Sequence, residues 1–426
     1  MRKLLAVSLV VFLPAAAFGA DPQRLTLHQA EQIAVQTNPR AGAARFLAQA
    51  AGQVPAEYRS NYLPQFFGSV TGAGASDGSR IAAGGLNNPV IYDRLASGLT
   101  ASQLITDFGR TSNLVSSANL SAKAEEQNSE AVRAQVILRV DRAYYSLLKA
   151  QSVLRVAQQT VNARQLVADQ VATLARSKLK STLDVSFAQV NLSEAKLTLA
   201  SAENDVQSAA AELSAALGYS GQRSFQLVEE SMPGPLTESV DSLVREAMNS
   251  RPELRDLRLR ESAAQRFTKA ERALYFPTIS TVATAGFVPS GTAQLRSNYG
   301  AVGLNINIPV LNGGLIAARR REAKFKATAA EQDVKDQENQ VARDVKVAYL
   351  AAQTAYQRVG LTAQMLDQAR LALDLAQARY NIGLGSIVEL SQAQLNSTSA
   401  EIASVSAKYD YQAQRAVLAF ETGLNR

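Results

Sequence analysis

The chain has 426 residues, with 44 Lys and Arg, 37 Asp and Glu, one His and no Cys or Trp. The lack of cysteine excludes disulfides, iron–sulfur clusters, Cys-ligated zinc, a thiol nucleophile and a lipid anchor on cysteine, and one histidine cannot build a multi-histidine metal site. The net charge of +7 is mild and its signs are interspersed, which gives nucleic-acid binding little support.

The N-terminus opens on Met1-Arg2-Lys3, runs apolar from Leu4 to Ala17 and closes on Phe18-Gly19-Ala20-Asp21. A basic start, a short apolar stretch and small residues predict a secretory signal peptide over residues 1–19, with the mature chain beginning at Ala20. About 14 apolar residues are too few to span a bilayer as a helix, and no later segment comes near 18.

A first structural repeat is expected over residues 20–218. It starts with a short helix at 25–36, followed by Asn38-Pro39 and a second helix running to Tyr62. Apolar-polar alternation then predicts strands at 65–73 and 95–105. From Arg110 to Leu217 there is no Gly and no Pro, and the composition favours helix. A break near residues 177–182 turns this stretch into a helical hairpin over 108–217, with a heptad seam through Val185, Ala188, Leu192, Ala195, Leu199, Ala202, Val206, Ala209 and Leu213.

A linker at 219–239, with Pro233 and Pro235, leads into a second repeat at 240–426. Asn38-Pro39 recurs as Arg251-Pro252 and Tyr62-Leu63-Pro64 as Tyr275-Phe276-Pro277, both 213 positions on. Gly98-Leu99, Ala143-Tyr144, Ala188-Gln189-Val190-Asn191 and Gly218 find matches 205 positions on. So many matches in order argue for a duplication. The second half repeats the plan: a short helix at 240–249, strands at 278–287 and 299–308, and a hairpin over 313–423 broken near 381–386. Its seam runs through Val341, Val345, Ala348, Ala352 and Ala355 to Tyr380, then returns through Leu390, Ser397, Ala400, Ala407, Tyr411 and Leu418.

Strands of about ten residues suit a transmembrane β-barrel, and Tyr62, Phe66, Phe67, Tyr92, Tyr275 and Phe287 lie where an aromatic girdle would sit. Four strands cannot close a barrel, since the smallest have about eight. An open sheet edge in lipid leaves backbone groups unpaired, so strands that enter a membrane require several chains to share one barrel. His28, the glycine pairs around Gly72 and Gly84, and Arg319-Arg320-Arg321 are expected to be a surface helix residue, loop elements and a solvated helix turn.

The duplicated plan, and above all Tyr380-Asn381-Ile382-Gly383 followed by Ser386-Ile387-Val388-Glu389-Leu390, resembles the TolC-like outer membrane factor family. The resemblance implies a mainly α fold with a small β part: coiled-coil hairpins that form an α-barrel tunnel, and four strands per chain in a shared 12-stranded barrel of a homotrimer. It implies an exit duct through the outer membrane, working with a periplasmic membrane fusion adaptor and an inner membrane pump of RND, ABC or MFS type, with no catalysis and no cofactor. By position, Glu389, Asp184, Tyr380 and Gln392 would belong to the gate or lumen. Lys178, Leu179, Lys180 and Ser181, with Gly383, Leu384, Gly385 and Ser386, would be the hairpin tips that meet the adaptor. Gln392 and Gly385 replace an acid and an arginine found in some members, leaving Arg379, Lys178 or Lys180 as candidate partners for the gate. The alternative is a periplasmic coiled-coil scaffold or adaptor subunit without a membrane barrel.

Overall fold

The computed structural model describes residues 23–76, 94–291 and 297–424; the signal peptide, Gly84-Gly85 and Tyr92 lie outside them. The elements in chain order are β1 (Gln23–Leu25), α1 (Leu27–Thr37), α2 (Pro39–Ala51), α3 (Val54–Arg59), a 3-10 turn (Ser60–Tyr62), β2 (Gln65–Ala73), β3 (Arg94–Thr106), α4 (Arg110–Arg176), α5 (Thr182–Ala216), β4 (Phe225–Leu227), α6 (Val240–Ser250), α7 (Pro252–Ala273), β5 (Thr278–Gly291), β6 (Asn298–Asn307), α8 (Leu315–Asn381) and α9 (Ile387–Thr422).

The short helices start and stop where the local chemistry says they must. Thr26 caps α1 through a capping box with Gln29, and Asn38 ends α1 and caps α2, with Pro39 at the first helical position where no N–H is needed. Ser239 and Pro252 do the same for α6 and α7. The second helix of the first half is not continuous to Tyr62 as expected. It breaks after Ala51, where Gly52 precedes Gln53-Val54-Pro55, and resumes as α3. Pro55 lacks the N–H that would continue the α2 ladder, so it opens a new helix instead. In the other half α7 has no internal glycine or proline and runs 22 residues unbroken.

α4 and α8 each span 67 residues, about 100 Å at ~1.5 Å per residue. Neither could stand alone in water; each is held by burying a narrow stripe against its returning partner, α5 or α9. The second seam is buried at Val341, Val345, Ala348, Ala352, Ala355, Ala376 and Tyr380, and the first at Ala188, Leu192, Ala195, Ala202, Ala209 and Leu213. α4 also packs on α9, so the four long helices form a row in the order α5, α4, α9, α8. Among the described residues no helix is long and apolar enough to cross a membrane.

The strands form one antiparallel sheet in the order β2-β3-β5-β6. Register places Phe66, Ala101, Ala283 and Val302 across from one another, with Leu99 and Ala285 beside them, so this face is apolar. The opposite face carries Ser69, Thr100, Thr284 and Asn305, with Thr100 Oγ1 and Thr284 Oγ1 3.4 Å apart. Gly98 and Gly286 leave room there for the Tyr299 ring, which any Cβ at either position would meet. Tyr62, Phe66, Phe67, Tyr275 and Phe287 are all exposed.

The N-terminus and the linker are held at the middle of α4. β1 pairs in parallel with β4, and the Tyr144 hydroxyl lies 2.9 and 2.7 Å from the carbonyl oxygens of Leu25 and Val228. Beside it Asp141 is 3 % exposed, and its Oδ1 has no hydrogen-bond partner among the described residues. Burial, followed by the charges of Glu31 and Glu230, pushes the Asp141 carboxyl up to about 8. The folded chain therefore holds a proton that the unfolded chain releases near 3.8, and stability falls as pH rises between those values. Asp141→Asn keeps the shape without the charge. Its thermal midpoint is expected to match wild type near pH 4 and exceed it increasingly up to about pH 8, as thermal melts across that range would show. A constant offset between the two proteins would rule out titration of Asp141 as the cause.

Candidate functional site

Both hairpin turns are built alike. In the first, Leu179 N–H bonds Leu174 O (2.9 Å) and Lys178 N–H bonds Ala175 O (2.9 Å). In the second, Leu384 N–H bonds Arg379 O (2.8 Å) and Gly383 N–H bonds Tyr380 O (3.2 Å). This paired closure of a helix C-terminus needs one left-handed residue. Gly383 supplies it at φ +81°, whereas the first turn uses Lys178 at φ 59°, a conformation that costs a side-chain-bearing residue about 1–2 kcal/mol. A serine then starts each returning helix. Asp184 N–H donates to Ser181 Oγ at 3.1 Å, and Glu389 N–H to Ser386 Oγ at 3.1 Å. Leu179, Leu384 and Ile382 stand exposed at the tips.

The acidic residues at these turns differ in what they do. Asp184 turns back on its own cap, with Oδ2 at 3.0 Å from Ser181 N and 2.8 Å from Ser181 Oγ. Glu389 Oε1 meets Arg379 Nε at 3.1 Å, and Arg379 also donates to Leu384 O at 3.3 Å. Of the three basic residues considered, Arg379 is thus the one that pairs with Glu389. Lys180 instead places its ammonium 3.9 Å from the centre of the Tyr380 ring. Gly385 is tightly enclosed: a Cβ there would come within 3.1 Å of Tyr380 N and 3.2 Å of Arg379 Cβ. Gln392 is exposed and donates to Asn396 Oδ1 at 2.9 Å.

Tyr380 is the pivot of the tip. It is buried among Ala168, Val171, Ala188, Leu192, Ile387 and Leu390, which come from all of the long helices but its own. Its hydroxyl has no hydrogen-bond partner among the described residues, and burial and then the charge of Asp184 push it up from the ordinary phenol value. Asn191 Nδ2 donates to Ser391 Oγ at 2.6 Å, a direct tie between α5 and α9 that residue spacing could not single out. A second feature lay legible but unread: Arg164 occupies a seam position of α4, between Val161 and Ala168, where an apolar residue belongs.

The other motifs settle as surface or structure. His28 is exposed, with Nε2 2.9 Å from Gln32 Nε2 and Nδ1 3.5 Å from Glu31. Arg319 pairs with Glu271, a carboxylate 1 % exposed, through Nε at 2.8 Å, so the arginine run is partly a structural anchor rather than a wholly solvated turn. Among the described residues no group of His, Cys, Asp and Glu could hold a metal ion.

Known proteins agree with this architecture. The outer membrane protein TolC of Escherichia coli (strain K12) is 23 % identical over 428 residues, covering 96 % of this chain and 84 % of that protein. The outer membrane efflux protein BepC of Brucella suis biovar 1 is 24 % identical over 319 residues, covering 74 % and 68 %. A crystal structure of CusC superposes with a TM-score of 0.80 at 20 % identity, covering 93 % of this chain and 92 % of that one. The profile of the outer membrane efflux protein family matches residues 31–219 and 243–424. With this match over most of the chain, and a fold of two helical hairpins and a four-stranded sheet, the chain belongs to the outer membrane efflux protein family.

Proposed function

We propose that three copies of this chain form a gated exit duct across the outer membrane and into the periplasm, passing substrates delivered by an adaptor and an inner membrane pump. The observation that carries the reading is that, among the described residues, both layers have two free lateral edges. The sheet ends in β2 on one side and β6 on the other, and the helix row ends in α5 and α8. Exposed apolar stripes run along both outer helices: Leu183, Phe187, Val190 and Leu197 on α5, and Leu350, Leu361, Leu371 and Leu375 on α8. Edges of this kind are satisfied by head-to-tail contacts that close into a ring, β6 on β2 and α8 on α5 of the next copy. The apolar sheet face then meets lipid and the polar face the lumen. Family membership supports three copies, a 12-stranded barrel and an adaptor meeting the exposed leucines at the tips.

In this reading the turns at the far end of the tunnel close it. Glu389 and Arg379 line the aperture, and Tyr380, Lys180 and Asp184 hold the two hairpins together. Opening is a shift between two packings of the hairpins, driven by whatever binds the open one better. The duct selects little and catalyses nothing; the pump and adaptor choose the cargo. Purified in detergent, the protein is expected to elute as a trimer and to conduct ions across a planar bilayer. A water-soluble monomer that never conducts would instead support the periplasmic scaffold.

A further inference from the structure

The cavity between the two hairpins, about 490 Å³, extends back from the second turn, where Asn381 lines it, and is lined by α4 on one side and α8 and α9 on the other. Arg164 faces it and is 7 % exposed. Among the described residues its Nη1 is buried without a hydrogen-bond partner. Glu194 attracts it through space only. Gln394 and Ser397, 9 % and 7 % exposed, line the same cavity from α9. Burying an unpaired guanidinium is among the more costly arrangements a fold can hold, and its seam position could have taken an alanine, as the equivalent Ala369 does in the other repeat. Two acids line the same cavity: Glu401, already bonded to Arg370 at 3.0 Å, and Asp374, which is exposed to solvent on α8. What Arg164 lacks is an acceptor for its buried Nη1, and the donors beside it, Gln394 and Ser397, match an oxygen-rich group.

We propose that this cavity binds a compact oxyanion, a carboxylate or phosphate group, held by the fork of Arg164 with Gln394 and Ser397 completing its hydrogen bonds. A guanidinium recognises such groups through two parallel N–H···O bonds, which explains why the position carries arginine. Because α4 belongs to the first hairpin and α9 to the second, the bound ion ties the hairpins together behind the tip. The site does not depend on the duct reading, since binding is measured without a membrane.

The test is calorimetric titration of the detergent-purified protein with inorganic phosphate, and separately with acetate, at constant ionic strength. One saturable site per chain is expected for at least one of the two, weakened at least about tenfold in Arg164→Gln, the loss of one charge-assisted pair. Arg164→Lys keeps the charge but loses the fork, and should bind with intermediate affinity. Gln394→Leu should weaken binding while leaving Arg164 in place, so a folding defect in the arginine variants does not remove the test. No saturable binding of either anion to the wild-type protein would overturn the proposal, as would unchanged binding in Arg164→Gln.

Discussion

Replacing Arg379 by alanine should raise the cation selectivity of the reconstituted channel. The ion pair with Glu389 is exposed on both sides and contributes little stability, about 0–1 kcal/mol for such pairs. Its effect is on the field: in the proposed trimer each Glu389 carboxylate would stand at the aperture with a guanidinium 3.1 Å away, leaving the ring close to neutral. If three such charges stood about 10 Å from the axis of the proposed trimer, each would contribute roughly 0.15 kcal/mol after screening in 0.1 M salt. Removing them changes the cation-to-anion permeability ratio by roughly fourfold, read from the reversal potential in a salt gradient. Glu389→Ala should move the potential the other way, and the double variant should return close to wild type. Unchanged reversal potentials in both single variants would place the pair outside the conduction path.

Gly218→Val should cost about 3 kcal/mol, the sum of a left-handed conformation and an overpacked contact. Gly218 ends α5 at φ +87°, and a Cβ there would lie 2.8 Å from Thr37 O and 2.9 Å from Asn38 Cα. The approach is close because Asn38 Nδ2 donates to Ala216 O at 2.9 Å, fastening the α1–α2 corner onto the end of the hairpin. The duplication repeats the joint. Gly423 ends α9 at φ +74°, a Cβ would lie 2.7 Å from Ser250 Oγ, and that hydroxyl donates to Thr422 O at 2.6 Å. Gly423→Val should therefore cost a similar amount. Gly221 has nothing within 4 Å and no left-handed backbone, so Gly221→Val serves as the control and should leave the thermal midpoint nearly unchanged. A small shift for all three would show that the corner does not support the hairpins.

The helices and their seams were legible because a heptad is a local pattern: Val341, Val345, Ala348 and Ala352 announce a buried stripe wherever the partner comes from. The strands were legible because alternation needs only the strand itself. The break of the first-half helix at Gly52 and Pro55 was present as residues, but the match with the unbroken α7 obscured it. At the tips, position named Glu389, Asp184 and Tyr380, yet their partners could not be read. Arg379 reaches Glu389 across a turn, and Lys180 reaches Tyr380 from the other hairpin. Arg164 was legible as a charge at a seam position; the structure added that its buried Nη1 has no hydrogen-bond partner among the described residues.

The amino-acid sequence alone determined that two copies of one plan exist, that each carries a long helical hairpin, and that four strands per chain are too few to close a barrel. Those are consequences of periodicity and backbone hydrogen bonding, which act within an element or at its edge. Only the tertiary structure decided the orders α5-α4-α9-α8 and β2-β3-β5-β6, which leave one free edge on each side, and which cation answers which anion at the tips. Such outcomes depend on which side chains meet across distant segments, and spacing along the chain does not encode that.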